Sequence, residues 1–230
     1  LMDRLMERQL DNHAAAMLKK AVEARGITVL INSETIAIIG KRRVQAVALK
    51  NGTQIEADLV VVAAGIRSNI DLAHGAGLNV DRGIIVDDNL RTSRPDIFAI
   101  GECAEHRGVC YGLVEPAYEQ ARVLAAHLAD ENANYPGSVL ATNLKVSGVN
   151  VFSAGDFIGA PGTEQLVFLD AGLGIYKKLV IAKGCLVGAV LFGDTADGLW
   201  YVDLIRQGSS IEAIRDDIIF GRALAERKAA

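Results

Sequence analysis

The stretch RTSRPDIFAIGECAEH, residues 91–106, decides the fold expected for this chain. It combines a charged turn, a short apolar run at 97–100, and then Gly101 and Glu102. A run so short, bounded by a turn and a glycine, is typical of a buried strand rather than a helix. Gly101 lets the backbone approach a ligand closely because it has no Cβ. Since α/β sheets bind ligands at the carboxyl ends of their strands, the Glu102 carboxylate is predicted to accept hydrogen bonds from a polyol or ribityl chain.

Outward from this stretch, length and composition exclude several classes of protein. The chain has 230 residues, a net charge of −4 and no evident basic patch, so a nucleic-acid partner is not expected. No apolar run approaches the ~20 residues that cross a bilayer, so no membrane partner is expected. Three scattered cysteines indicate a reducing compartment rather than a disulfide framework. These features predict a cytoplasmic globular protein, with length for one large domain or two small ones.

Two helices are predicted around the stretch from their termini. Asp11 is a typical N-cap residue and Gly26 a typical stop, so a helix is expected over residues 12–25. Pro116 suits the first turn of a second helix, whose apolar residues recur at helical spacing after it.

The residues before the stretch also predict a small sheet. Asn51-Gly52 is a strong hairpin signal between two strand-like segments. The continuous apolar run at 59–64 is typical of a buried central strand. We therefore predict strands at residues 27–31, 36–39, 44–49, 54–62 and, just before the stretch, 84–86.

Beyond a polar segment at 132–138, the sequence predicts a β-rich domain. Asp194 and Thr195 are predicted to cap a helix that Gly208 ends, and Ser209 with Glu212 forms a capping box for a last helix through residue 219. Strands are predicted at residues 139–146, 149–153, 164–169, 175–182 and 186–192.

The decisive stretch resembles the second flavin fingerprint of the FAD- and NAD(P)H-dependent pyridine-nucleotide reductases. In that family a Thr, here Thr92, precedes an apolar strand and a Gly-Asp pair that holds the ribityl chain of FAD. Glu102 replaces the Asp and is one methylene longer. The longer segment GECAEHRGVCYGLVEPAYEQA, residues 101–121, is similar to the flavoprotein part of the NAD(P)H-dependent assimilatory nitrite reductases.

The resemblance implies a set of cofactor contacts. Gly101 and Glu102 would hold the ribityl chain, and the helix N-terminus at Pro116 and Ala117 would point at the flavin ring, where its positive end favours the anionic reduced flavin. Ala64 and Gly65 would lie beside NAD(P)H. No catalytic side chain is expected, because hydride passes directly between nicotinamide and flavin.

The same resemblance implies a domain organisation. The fold class is α/β followed by α+β: incomplete Rossmann-like nucleotide-binding pieces and then a C-terminal β-rich interface domain, to which the segment LKVSGVNVFSAGDF at 144–157 is similar. The expected domains are the closing half of the NAD(P)H-binding domain at 1–66, the closing segment of the FAD-binding domain at 67–137, and the interface domain at 138–230. The interface domain is expected to form a homodimer.

A glycine-rich loop that could receive a pyrophosphate is missing from the sequence. No G-x-G-x-x-G turn stands between a strand and a helix. We therefore expect a fragment whose cofactor loops lie upstream, and whose apolar runs at 60–63 and 97–100 lack sheet neighbours. FAD and NAD(P)H are expected in the parent protein, and the chain alone is expected to bind FAD weakly or not at all.

Other chemistries have less support. Cys103, His106 and Cys110 have a metal-like spacing, but structural zinc needs four ligands and no fourth is evident, so no metal is predicted. A G-x-S-x-G elbow for a serine nucleophile is absent.

The expected parent function is electron transfer from NAD(P)H through FAD to a downstream centre, in a nitrite reductase with iron–sulfur and sirohaem domains. A rubredoxin- or ferredoxin-type reductase that serves a small electron carrier is the first alternative. A non-catalytic dimerisation module is the second.

Overall fold

The computed structural model describes residues 2–229, which form two compact units. One unit is Val61–Ser138, and the other comprises the described residues on both sides of it. Of the helices in residues 2–229, none combines the length and the hydrophobicity that crossing a bilayer requires.

The first helix confirms its predicted cap. Helix α1 spans Asn12–Glu23, and the Ala14 N–H donates to Asp11 Oδ1 at 2.9 Å. Gly26 follows the helix with φ +81°, a left-handed conformation that glycine adopts at low cost. The apolar stripe expected from helical spacing at Ala14, Met17, Leu18, Ala21 and Val22 is buried at Ala14, Leu18 and Val22, and Ala15 is buried as well.

A three-stranded antiparallel sheet follows α1. Its strands are β1 (Thr35–Gly40), β2 (Val44–Leu49) and β3 (Gln54–Glu56), in that spatial order. The hairpin at Asn51-Gly52 is confirmed, since Asn51 Oδ1 accepts from the Thr53 N–H at 3.0 Å between β2 and β3.

Two strand predictions in this region are wrong. Residues 27–31 form no strand, and β3 ends at Glu56 instead of continuing to residue 62. The run at 59–64 is not buried either, because Leu59 and Val61 are both 79% exposed. Among residues 2–229 this backbone finds no ladder partner, and an apolar run without a partner stays extended but unpaired.

The unit Val61–Ser138 contains two helices and a small mixed sheet. Helix α2 (Asp71–Gly75) precedes β4 (Ile84–Val86), which pairs in parallel with β5 (Ala104–His106). Strand β6 (Val109–Cys110) pairs antiparallel with β5, and helix α3 (Val114–Leu128) follows. The predicted strand at 84–86 is therefore confirmed, and so is the helix that begins close to Pro116.

The apolar run at 97–100 is not the predicted strand. Only Phe98 forms a bridge, with Arg91, and Gly101–Cys103 then makes a single 3-10 turn. Ala99 is nevertheless buried in a small core with Leu90, but Ile97 is 41% exposed, so the predicted burial holds for only part of the run.

The C-terminal region confirms the predicted β-rich domain. Five antiparallel strands follow, in the spatial order β7-β8-β11-β10-β9. They are β7 (Ala141–Val146), β8 (Val149–Gly155), β9 (Glu164–Asp170), β10 (Ile175–Ala182) and β11 (Cys185–Phe192). Each lies within two residues of its predicted bounds.

Both faces of this sheet are covered. Neighbouring residues of β11 point in opposite directions, so Val190 packs in the cluster with α1 and Leu191 packs in a second cluster on the other face. Two-sided burial explains why β11, CLVGAVLF, reads as a continuous apolar run rather than as an alternating one.

The segments after the sheet differ from the prediction. Helix α4 (Gly198–Gln207) has Asp197 as its N-cap instead of Asp194 or Thr195. It ends at Gly208 as predicted, and Gly208 adopts a left-handed conformation.

The last predicted helix, from Ser209 through residue 219, is wrong. Two 3-10 turns, Glu212–Ile214 and Ile218–Phe220, replace it, and helix α5 (Arg222–Ala229) follows. Ile211 and Ile218 are buried against the sheet, and the Ile211 N–H donates to Gly184 O at 2.9 Å. These tertiary contacts outweigh the local capping signal.

Candidate functional site

The Gly101–Glu102 turn is held by two side chains that are distant in sequence. The Gly101 N–H donates to Gln120 Oε1 at 2.6 Å, from the side of α3. The Ser68 hydroxyl donates to the Glu102 carbonyl oxygen at 2.6 Å, from the opposite side. Gly101 has φ +79°, which is why a glycine suits this position. The turn is therefore fixed at the backbone before any ligand arrives.

The Glu102 carboxylate is exposed. Throughout residues 2–229 it has no hydrogen bond or ion pair to a protein group. A carboxylate without a protein partner, next to a left-handed glycine, retains its full capacity to accept hydrogen bonds from hydroxyl groups.

Thr92 is part of the turn that precedes the apolar run. Its hydroxyl donates towards Ile97 O at 2.9 Å, and it is buried. In this structure Thr92 therefore closes the loop between residues 92 and 97.

The N-terminus of α3 lies beside Gly101. Pro116 is the third residue of α3 and is buried, as expected for a first-turn proline. A Cβ placed on Gly101 would be 3.7 Å from the Ala117 Cβ, so these two residues are neighbours. The N-cap residue, Leu113, provides no side-chain hydrogen bond, which leaves the positive end of a 15-residue helix without a side-chain cap.

Ala64 and Gly65 lie in the exposed extended segment before Ser68. A Cβ added to Gly65 would have open space around it within 4 Å, so this backbone is open to a ligand. Ile66 contacts Gly112, which anchors the segment near the site. The hydrogen bond between Ser68 and Glu102 connects this segment to the Gly101–Glu102 turn.

Gln120 and Ser68 were missed by reasoning from the sequence. Gln120 follows Pro116 by four residues and Ala117 by three, so helical spacing puts all three on one face of α3. A glutamine at this spacing, on the same face as the two residues predicted to meet the flavin, is the signal that could have identified it. Ser68 had no comparable signal, because its partner is 34 residues away.

A second polar cluster lies at the other end of the same unit. Asp88 Oδ1 accepts from His106 Nε2 at 2.9 Å, and Asp88 Oδ2 accepts from Arg107 Nη2 at 2.7 Å. Hydrogen bonds from Arg107 and then His106 lower the pKa of Asp88 from 3.8 to about 2. Asp88 and Arg107 border an open cleft of about 600 Å³, which Asn89 and Asn134 also line.

The cysteines and histidine with metal-like spacing do not form a ligand set. Cys103 Sγ contacts the Ile100 carbonyl at 3.4 Å, while His106 Nε2 faces Asp88. Within residues 2–229 no group of three or more His, Cys, Asp or Glu side chains could hold a metal ion. Burial, together with the charge of Glu105, raises the pKa of the Cys110 thiol, which makes it a poorer nucleophile at neutral pH.

Comparison with known families agrees with this geometry. The model of the pyridine nucleotide-disulphide oxidoreductase family matches residues 1–125, more than half of the chain. The chain belongs to this family. A second model, the C-terminal domain of rubredoxin NAD+ reductase, matches residues 141–209, which contain the five-stranded sheet.

Individual relatives extend the family assignment. Nitrite reductase [NAD(P)H] of Bacillus subtilis is 50% identical over 208 residues, covering 90% of this chain and 26% of that protein. The assimilatory nitrate reductase electron transfer subunit of the same organism is 40% identical, covering 94% and 28%. The chain thus spans about a quarter of the length of these curated relatives.

A solved structure supports the same fold. The NAD-dependent persulfide reductase from A. fulgidus superposes with a TM-score of 0.78 and 26% identity, covering 94% of this chain and 44% of that one. The predicted fold class, α/β followed by α+β with a C-terminal antiparallel sheet, is confirmed.

Proposed function

We propose that the full-length protein transfers electrons from NAD(P)H through FAD to a downstream centre, as a nitrite reductase. The observation that carries this proposal is the Gly101–Glu102 turn, a backbone held by Gln120 and Ser68 that presents an unpartnered carboxylate. The nitrite reductase relative, 50% identical to this chain, favours nitrite as the final acceptor.

The residues at the turn fit FAD. Glu102 would accept hydrogen bonds from ribityl hydroxyls, and Gly101 would let the chain approach the backbone. Pro116 and Ala117 would bring the uncapped end of α3 to the flavin ring, where its partial positive charge stabilises an anion. Once bound, FAD supplies the hydride-accepting and electron-passing chemistry.

Ala64 and Gly65 are proposed to lie along NAD(P)H. Their exposed backbone, with open space around Gly65, supports this role. No side chain is assigned a catalytic role, because the two cofactors exchange the hydride directly.

The 230-residue chain alone is proposed to bind FAD weakly or not at all. Leu59, Val61 and Val62 expose more than three-quarters of their surface, where a folded nucleotide-binding domain would bury a strand. We retain the three-domain division at 1–66, 67–137 and 138–230 as part of this proposal.

The proposed partners follow from the same assignment. They are iron–sulfur and sirohaem domains of the same protein, and a second copy bound through the C-terminal domain. Three free cysteines support a reducing compartment, and we propose the cytoplasm.

A rubredoxin- or ferredoxin-type reductase is the second candidate. The match of residues 141–209 to the rubredoxin NAD+ reductase C-terminal domain favours it. In that case FAD would pass its electrons to a small electron carrier instead of to a nitrite-reducing centre in the same protein.

The test uses the purified full-length protein and its Glu102→Gln variant. We expect a stoichiometric flavin spectrum in the wild type. The variant should bind FAD about 10- to 100-fold more weakly, because hydrogen bonds to a charged acceptor are lost. Glu131→Gln, another exposed carboxylate of the same unit, should leave FAD affinity unchanged.

The acceptor is identified by steady-state oxidation of NADH and NADPH. Turnover with nitrite supports the nitrite reductase, whereas turnover only with a rubredoxin or ferredoxin supports the second candidate. A full-length protein without flavin would refute both and leave a dimerisation module.

A further inference from the structure

Gln120 is an unusual residue for the interior of α3. Its side chain is 0% exposed, yet it carries two polar atoms. Its oxygen accepts from the Gly101 N–H at 2.6 Å. Its amide nitrogen is buried and makes no hydrogen bond of normal geometry within the described residues. Burying a donor without such a bond costs free energy. The favourable contribution of Gln120 is therefore the hydrogen bond that its oxygen accepts from the Gly101 N–H.

The orientation of the carboxamide follows from its partner. A backbone N–H can only donate, so the atom that faces Gly101 must be the carbonyl oxygen. The amide nitrogen then points away from the turn. Burial raises the pKa of the Tyr135 hydroxyl, and the nearby Gln120 side chain acts against that rise.

The turn needs this support because of the length of Glu102. A glutamate has one more rotatable bond than an aspartate, so its carboxylate samples more positions when the backbone is loose. Two hydrogen bonds, from the Gly101 N–H to Gln120 and from Ser68 to the Glu102 carbonyl oxygen, remove the backbone part of that freedom. A precisely placed first contact depends on such supporting hydrogen bonds.

We propose that Gln120 is a positioning residue for FAD: through Gly101 it sets the orientation from which Glu102 meets the cofactor. Ser68 contributes to the same orientation through its hydrogen bond to the Glu102 carbonyl oxygen. This inference rests on the proposed FAD-binding function and adds two residues to it.

The test compares FAD binding by the full-length protein and its variants. Gln120→Leu removes the acceptor while keeping the volume. We expect its FAD dissociation constant to rise about tenfold, with a changed visible circular dichroism of the bound flavin. Gln120→Glu keeps an acceptor oxygen and should stay within about threefold of the wild type. Ser68→Ala, at a half-buried position outside the core clusters, should weaken binding about threefold.

Leu124→Ala is the matched control. Leu124 lies on α3, one turn beyond Gln120, packs against the core of the unit, and has no polar side-chain atom that could hold the turn. It should lower the thermal midpoint but leave the flavin dichroism unchanged. A purely structural role for Gln120 predicts the same result for Gln120→Leu, and would overturn the inference.

The outcomes separate the two proposals. A wild type without FAD refutes the proposed function and, with it, this inference. A wild type that binds FAD, with Gln120→Leu and Ser68→Ala variants of unchanged affinity and dichroism, refutes the inference alone. If Gln120→Leu does not fold, Ser68→Ala is the deciding variant, and an unchanged FAD affinity of Ser68→Ala refutes the inference.

Discussion

The C-terminal five-stranded sheet and the apolar run at 59–64 differ in how far they bury their apolar side chains. Leu179 on β10 and Leu191 on β11 are both 0% exposed, with helices or turns packed over each face of the sheet. Val61 and Val62, in an equally apolar run, are 79% and 76% exposed. The difference shows that an apolar run becomes a buried strand only where another strand is available to pair with it.

The partners are close along the chain in one region and absent in the other. Strands β7 and β8 form a hairpin, and so do β10 and β11, with turns of two residues in each case. The run at 59–64 has no such neighbour in the described part of the chain. Local pairing therefore forms these two hairpins from neighbouring strands, while α1 covers one face of the sheet from far away in sequence.

The comparison is tested most strongly by truncating one leucine or valine from each region. Leu179→Ala should reduce the free energy of unfolding by about 3–5 kcal/mol, because a fully buried side chain leaves a cavity. Val62→Ala should change it by less than about 0.5 kcal/mol, since exposed substitutions cost little. Urea unfolding of the 230-residue chain, followed by circular dichroism, measures both.

Equal effects of the two substitutions would contradict the comparison. A large effect of Val62→Ala would mean that the exposed run is buried in solution by an intermolecular contact. Repeating the measurement at several protein concentrations would reveal such a contact.

The second prediction concerns the polar connection between α1 and the sheet. Asp11 caps α1, accepts from the Tyr176 hydroxyl at 2.7 Å, and lies 3.5 Å from Lys178 Nζ. Asp11→Ala should reduce the free energy of unfolding by about 2–4 kcal/mol, because it removes a cap and leaves a buried lysine without its carboxylate.

Asp58→Ala provides the matched control for Asp11→Ala. Asp58 is 97% exposed and lies 3.5 Å from an exposed Arg43, so its removal should be nearly neutral. If Asp11→Ala is as mild as Asp58→Ala in the same urea experiment, the buried network contributes nothing and α1 is held by apolar contacts alone.

The smallest effect is expected in the unit Val61–Ser138, at the Asp88 cluster. Arg107 and His106 lower the pKa of Asp88 to about 2 from its ordinary value of 3.8. A carboxyl whose pKa is lower in the folded state stabilises that state above pH 3.8, and the contribution is lost as the pH falls towards 2. Asp88→Asn should therefore lower the thermal midpoint slightly at pH 6 and progressively less at pH 4 and pH 3.

Salt gives this prediction its control. Asp88 and Arg107 are largely exposed, so added salt should reduce the difference between wild type and Asp88→Asn at pH 6. A difference independent of both pH and salt would show that packing, rather than charge, is what Asp88 supplies.

Much of the fold could be read from the sequence because its signals are local. Asp11 caps α1 by accepting from the Ala14 N–H, only three residues further along the chain. Each of the five C-terminal strands pairs with a strand that is its neighbour in sequence. Ser209 and Glu212 failed as a capping box, since burial of Ile211 and Ile218 competes with helix formation.

The candidate site was predicted only in part for the same reason. Gly101 and Glu102 stand out because a glycine and an acid end an apolar run. Whether Ala64 and Gly65 bind NAD(P)H stays a prediction.

By itself, the sequence determined the first helix, the Asn51-Gly52 hairpin and the C-terminal strands. Only the tertiary structure decided that Gln120 and Ser68 hold the turn, from 19 and 34 residues away, and that the run at 59–64 stays unpaired. Caps and tight turns involve residues within about four positions of each other, so a sequence pattern specifies them. Contacts over longer separations depend on which backbones meet in space, and no local pattern specifies that.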